Sequence, residues 1–277
     1  MRAWLLLLLF PFAVWAAPED RPPFFKVESA HHTAWLLGTI HVGSKDFYPL
    51  PEPVEQAFSD AQILALEADP NDPNVPALLA RYGRSSTPLP DELASQVSAH
   101  CRSLGIACDL GTSPWLLSAQ LAMIQMAQAG YQPDLGVDSM LLSRKGQRPL
   151  WQLESMGRQM AIFTELSRDA QLAMLAATME EADPGELIRV WRSGDPDALD
   201  ALMREGLSDS DELWQRLMVD RNRDMAQTIE SWLGRQDNIF IAVGAGHLVG
   251  QDGIPAMLKQ AGIRVTDCWQ SRCVVAE

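Results

Sequence analysis

Two histidines stand in the same local setting, one from which hydrolytic or metal chemistry could be built. Trp35-Leu36-Leu37-Gly38-Thr39-Ile40-His41-Val42-Gly43 and Ile241-Ala242-Val243-Gly244-Ala245-Gly246-His247 each carry an apolar run, a glycine, and a histidine three residues later. Glycine permits positive φ and a sharp turn at a strand end, so each imidazole is expected at the rim of a sheet. One Gly-x-x-His arises often by chance; two copies, each after an apolar run, are a stronger signal. Two carboxylates are placed alike. Glu67 follows Ile63-Leu64-Ala65-Leu66, and Glu154 follows Leu150-Trp151-Gln152-Leu153. If these runs are parallel strands, their C-terminal ends share one edge, where open α/β sheets bind ligands, and His41, His247, Glu67 and Glu154 converge there.

Two imidazoles with one or two carboxylates suit a divalent ion such as zinc, manganese, cobalt or iron. Such an ion brings the pKa of bound water from about 15.7 toward about 7 and polarises a carbonyl, while a nearby carboxylate serves as base. His41 and His247 are the candidate metal ligands, and Glu67 is a ligand or base. Glu154 is either a catalytic group or a support for the ligands. For each histidine alone, a hydrogen-bonded rim residue is the competing reading.

Arg221 lies within an apolar stripe of Trp214, Met218, Met225, Ile229 and Trp232 at helical spacing. A buried guanidinium needs an anionic partner. It either closes an internal salt bridge or faces the site and binds a carboxylate or oxyanion. Asn222, a further candidate for substrate binding, is adjacent and read as off that stripe. Asp138, in Gly136-Val137-Asp138, opens a helix after Pro133; it either complements the helix N-terminus or contributes to substrate binding. His31, His32 and His100 have no strand-end setting and read as surface residues. No His-x-x-x-His pair, Gly-x-Ser-x-Gly elbow, phosphate loop or dinucleotide fingerprint is present.

The elements that must position these residues follow from the apolar pattern. Strands are expected at Ala34 to Leu37, Ile63 to Leu66, Pro149 to Leu153, Asn238 to Val243 and Ile263 to Val265, and helices at Pro53 to Ala61 and Ile254 to Ala261. Five prolines mark residues 70–90 as a loop around a short helix. Residues of about 91–233 read as mainly helical, with Ser113-Pro114, Asp183-Pro184 and Asp195-Pro196 opening helices and one long helix over 209–233. The fold class is therefore α/β (α+β): a central mixed or parallel sheet built from the N- and C-terminal segments, with a large helical insertion forming one wall of the cleft.

The first sixteen residues read as a secretory signal. Arg2 precedes an apolar run, Pro11 interrupts it, and Val14-Trp15-Ala16 fits cleavage after Ala16. The run is shorter than the roughly 20 residues of a spanning helix, and no later stretch could span a membrane. A periplasmic or secreted protein is expected, with a Pro-rich, flexible leader over 17–30 and a single domain over 31–277. The net charge of −14 disfavours nucleic acid and anionic membrane surfaces, leaving a peptide or small molecule as substrate. The four cysteines form two close pairs, Cys101 with Cys108 and Cys268 with Cys273. In an exported chain they read as two local disulfides, with a four-thiolate zinc site as the competing reading.

At Leu37-Gly38-Thr39-Ile40-His41-Val42-Gly43, Leu66-Glu67-Ala68-Asp69, Gly136-Val137-Asp138, Leu153-Glu154-Ser155, Arg221-Asn222 and Val243-Gly244-Ala245-Gly246-His247-Leu248, the sequence resembles the TraB/GumN family, which includes the Tiki metalloproteases. The resemblance spans about residues 27 to 265. It implies a domain related to the erythromycin-esterase and ChaN-like folds. It also implies a metal-dependent site of His41, His247 and Glu67, with Arg221 and Glu154 as companions. The expected activity is metal-dependent hydrolysis, with a peptidase first. Non-catalytic capture of haem or iron, and an accessory role in envelope polysaccharide assembly, are the alternatives.

Overall fold

The computed structural model describes residues 19–180, 183–207, 210–236, 238–271 and 273; the expected signal and its cleavage point lie outside them. Six strands form one sheet: β1 (Phe24–Glu28), β2 (Thr33–Thr39), β3 (Ile63–Leu66), β4 (Leu150–Gln152), β5 (Ile239–Gly244) and β6 (Arg264–Asp267). Their order is β4-β3-β5-β2-β1-β6. The pairs β4–β3, β3–β5 and β5–β2 are parallel, while β1 runs antiparallel to both β2 and β6. The sheet is mixed, as expected, and it draws β4 from inside the helical segment.

Alternation along the strands explains why both faces are covered. Ala34, Leu36, Ile63, Ala65, Ile239, Ile241 and Val243 share one core with Met225, Ile229, Trp232, Ile254 and Leu258 of the helices Asp220–Leu233 and Ile254–Gln260. Trp35, Leu37, Leu64, Leu66, Phe240 and Ala242 share the other with Val54, Phe58, Val137, Leu141, Ile188 and Trp191. Strands buried on both faces read as continuous apolar runs, which is why β3 and β5 are so visible in the sequence.

Three expectations are corrected. The leader is not loose throughout: Phe24–Glu28 forms β1, with Phe24 and Val27 fully buried. The helix expected over 209–233 is not uniform, because a π-helical stretch, Gln215–Val219, separates Asp211–Trp214 from Asp220–Leu233. The buried line of that last helix runs through Asn222, Met225, Ala226 and Ile229, so Asn222 is on the stripe and Arg221 is at its border. Both local disulfides are present, Cys101–Cys108 and Cys268–Cys273. They place the chain with proteins that fold in an oxidising compartment. Among the described residues, no helix is long and apolar enough to cross a membrane.

Candidate functional site

Four parallel strands end side by side, and each delivers one of the expected residues. Across the sheet from β4 to β2 the order is Glu154, Glu67, His247 and His41. The β3–β4 pairing continues past the strands, since Leu153 N–H donates to the Leu66 carbonyl and Glu154 N–H to the Glu67 carbonyl, at 3.0 and 2.7 Å. His247 lies in a 3-10 turn, Ala245–Leu248, straight after β5.

The motif glycines act differently from expectation. Positive φ occurs at Gly105, Gly130, Gly146, Gly194, Gly250 and Gly262, not at Gly38 or Gly244. What demands glycine is close approach. A Cβ on Gly38 would lie 2.9 Å from the Pro23 side chain and 3.0 Å from the Ala245 backbone. One on Gly136 would strike the His41 carbonyl, and one on Gly43 the Leu135 carbonyl. These contacts let the 40–43 loop zip onto 132–137, where Gly43 bridges Gln132 and Val137 N–H donates to the Ile40 carbonyl at 2.9 Å.

That zipper sets Asp138 against His41. Asp138 Oδ2 accepts from His41 Nδ1 at 3.0 Å, and its Oδ1 accepts from the Thr39 hydroxyl at 2.8 Å. Asp138 thus holds His41 in place. The His41 side chain is 68% exposed, and its Nε2 bonds to no described residue. The charge of Asp138 and its hydrogen bond raise the imidazole to about 9.

His247 is the reverse. Its side chain is 7% exposed, and Nδ1 lies 2.6 Å from Asn222 Oδ1. Asn222 uses its Nδ2 on the Asp252 carbonyl at 2.7 Å, so its Oδ1 is an acceptor and the proton sits on His247 Nδ1. The Nε2 lone pair accepts from Arg221 Nη1 at 3.2 Å. Burial, with Arg221 and His41 adding to it against Glu67, lowers His247 to about 4, so the ring is neutral. Asn222, a candidate for substrate binding in the sequence, is 1% exposed and fixes this tautomer.

Arg221 joins everything between. Its Nη2 donates to Glu67 Oε2 at 2.7 Å and to Glu154 Oε2 at 2.8 Å, and its Nε donates to both Glu154 oxygens at 3.1 Å. Nη1 also donates to the Leu217 carbonyl at 3.4 Å. A guanidinium has five N–H groups, and all are engaged, so Arg221 neutralises two buried carboxylates rather than waiting for a substrate anion. Glu67 also accepts from Gly244 N–H at 2.5 Å and Gln159 Nε2 at 3.0 Å. Burial pushes Glu67 up, but His247, Arg221, His41 and the Gly244 N–H together outweigh it and hold the carboxyl near 2. Thr39 and Gln159 belong to the site and carried no sequence signal beyond their neighbourhood.

The fit to a divalent ion is partial. Both imidazoles have Nδ1 held by a second residue, as metal ligands commonly do. Of the remaining donors, His247 Nε2 is taken by Arg221 and both Glu67 oxygens are occupied, while His41 Nε2 bonds to no described residue. Among the described residues, no three His, Cys, Asp or Glu side chains are placed to share an ion. As arranged, the residues do not fit a resident metal.

The chain is 29% identical over 241 residues to the uncharacterized protein YbaP of Escherichia coli K12, covering 81% of this chain and 87% of that protein. It is 23% identical over 268 residues to an uncharacterized protein of Treponema pallidum, covering 86% of this chain and 80% of that one. No solved structure matches. The profile of the TraB/PrgY/gumN family covers residues 23–267, spanning all four strand-end residues, and the chain belongs to that family.

Proposed function

We propose that this protein is an exported hydrolase, periplasmic or secreted, with peptides as the first substrates to assay, in which His41 moves the proton. One observation carries the reading: an exposed imidazole stands at the shared strand edge with Nδ1 held by a carboxylate and Nε2 bonded to no described residue. A carboxylate on Nδ1–H is the arrangement by which a histidine takes a proton from a nucleophile through Nε2 and returns it to the leaving group. Unprotonated His41 would accept the proton of a water attacking the scissile carbonyl, and the imidazolium would then deliver it to the departing nitrogen or oxygen. Neutral His247, Glu67, Glu154 and Arg221 form the buried floor beside it. Peptide and ester libraries incubated with the mature protein, His41→Ala and His247→Ala test this. Equal cleavage by all three removes the reading and returns haem or iron capture and envelope polysaccharide assembly to the front.

The second reading adds a resident zinc, manganese or cobalt ion. It is favoured by the held Nδ1 atoms of both histidines, and it requires Arg221 to leave His247. Metal analysis of protein purified without chelators tests it; metal content equal in wild type and His41→Ala/His247→Ala counts against it.

A further inference from the structure

The geometry points to one helix pair, Pro184–Ser193 and Pro196–Glu205, as the positioning element of the site. Its first arm fixes the His41 loop through Trp191 and Arg192, and its second fixes the His247 loop through Met203 and Arg204. The inference rests on the strand edge being the functional site and deepens that reading by naming what sets its two histidine loops. The helices meet at Gly194, whose φ of 75° is left-handed, and a Cβ there would lie 2.6 Å from the Arg21 side chain. Asp195 then caps the second helix, accepting from the Asp197 and Ala198 amides at 3.1 and 3.0 Å. A turn this short, capped on its far side, ties the two arms to each other.

Trp191 is buried, and its indole N–H donates to the Gly38 carbonyl at 2.9 Å. A buried indole N–H left without its acceptor is costly, so this bond pins the motif glycine that precedes His41. Arg192 pins the far side of the loop. Its Nη1 donates to Asp46 Oδ2 at 2.5 Å, and its guanidinium lies over the Phe47 ring, against which Trp191 also packs. His41 therefore stands between two anchors drawn from one helical turn.

The second arm enters the other loop at two glycines that flank His247 in the chain. A Cβ on Gly246 would lie 2.8 Å from Met203 Cε, and one on Gly250 would strike the Asp200 carboxylate. Arg204 donates to Asp200 at 2.9 Å and to Asp252 at 3.1 Å while covering the Trp214 ring. Trp214 Nε1 gives Asp252 a second donor at 3.3 Å. Asp252 carries the carbonyl that orients Asn222, and Asn222 holds His247 Nδ1. Ion pairs as exposed as these add little stability, so their consequence is expected in the placement of His247 more than in folding. Close placement of reacting groups is what such supporting contacts supply.

NMR relaxation of the imidazole Cε1–H groups in isotopically labelled mature protein tests the inference without a substrate. Arg204→Met should loosen the His247 ring and leave His41 as it is. Trp191→Phe, which keeps a ring against Phe47 and deletes the N–H, should do the reverse. Arg204→Lys should restore the wild-type His247 signal, because its ammonium can still meet Asp252. Where either variant does not fold, Asp252→Asn and Arg192→Met release the same two loops. On whichever peptide or ester the wild type cleaves, Arg204→Met and Trp191→Phe should each lower kcat on the order of 10-fold with KM nearly unchanged. Variants that lose thermal stability while both rings stay as in wild type, or that loosen both rings alike, overturn the assignment. Rings that loosen as expected in a protein that cleaves nothing remove the hydrolase reading and leave the positioning roles standing.

Discussion

His41 and His247 carry the same short motif after neighbouring parallel strands, and they end in opposite states. His41 is exposed, tied to Asp138, and raised to about 9. His247 is enclosed, tied to the neutral amide of Asn222, and lowered to about 4. At neutral pH one ring is an acid and the other a neutral acceptor. The difference comes from the partner on Nδ1 and from burial, not from the motif. Environments that push like groups apart are how a site separates its acid and base roles.

The largest way to break the contrast is to remove the cation that keeps the His247 side closed. Arg221→Met should lower stability by about 3–5 kcal/mol in metal-free buffer, the usual cost of stranding buried charge, measured by urea denaturation. A loss under about 1 kcal/mol would show that the carboxylates are solvated after all.

Removing the acid partner on the other side comes next. Asp138→Asn should bring His41 down toward its ordinary 6.5 in an NMR titration and, at a pH above 9 where both proteins hold the ring unprotonated, reduce hydrolysis on the order of 100-fold through loss of the orienting carboxylate. An unchanged His41 titration would separate it from Asp138. In wild type, hydrolysis should rise with pH toward about 9, as His41 loses its proton; a rate that falls over that range would make His41 the acid of the rate-limiting step instead.

A smaller effect concerns His247 and the pH dependence of folding. Its folded pKa lies below its unfolded 6.5, at about 4, so the unfolded chain binds the proton more readily. The stabilisation is complete above 6.5 and is lost as pH falls from 6.5 through 4, by roughly 3 kcal/mol. His247→Gln should flatten stability across that window, and a variant curve parallel to wild type would show that other groups set it. The least effect is expected from Thr39→Val, which deletes one hydrogen bond to Asp138 and should cost about 1 kcal/mol by thermal denaturation.

The parts of this contrast that could be read in the sequence are those written in backbone periodicity. Apolar runs ending in glycine or a carboxylate exposed β2, β3, β4 and β5 and so located His41, Glu67, Glu154 and His247. A charged residue within an apolar stripe exposed Arg221. The partners were hidden. Asp138 lies about a hundred residues from His41 and reaches it only through the approach at Gly43 and Gly136. Thr39 and Gln159 are uncharged and sit in ordinary surroundings. Asn222 was misplaced although it stands three residues before Met225 and seven before Ile229, spacings that put it on the buried line of the helix. Phe24–Glu28 was masked by the prolines before it, although Lys26 and Glu28 flank a buried Val27 in an alternating pattern.

The strand order also dictates when assembly can finish. β2 and β3 are close in the chain, yet β5 stands between them in the sheet and supplies the parallel neighbour of each. Until residues 239–244 arrive, the early strands have no partner on those edges and Glu67 lacks the Gly244 amide. Sheets closed by such distant pairings form late and slowly. The centre strand of the sheet is therefore among the last parts of the chain to become available, and the edge that carries the site closes with it.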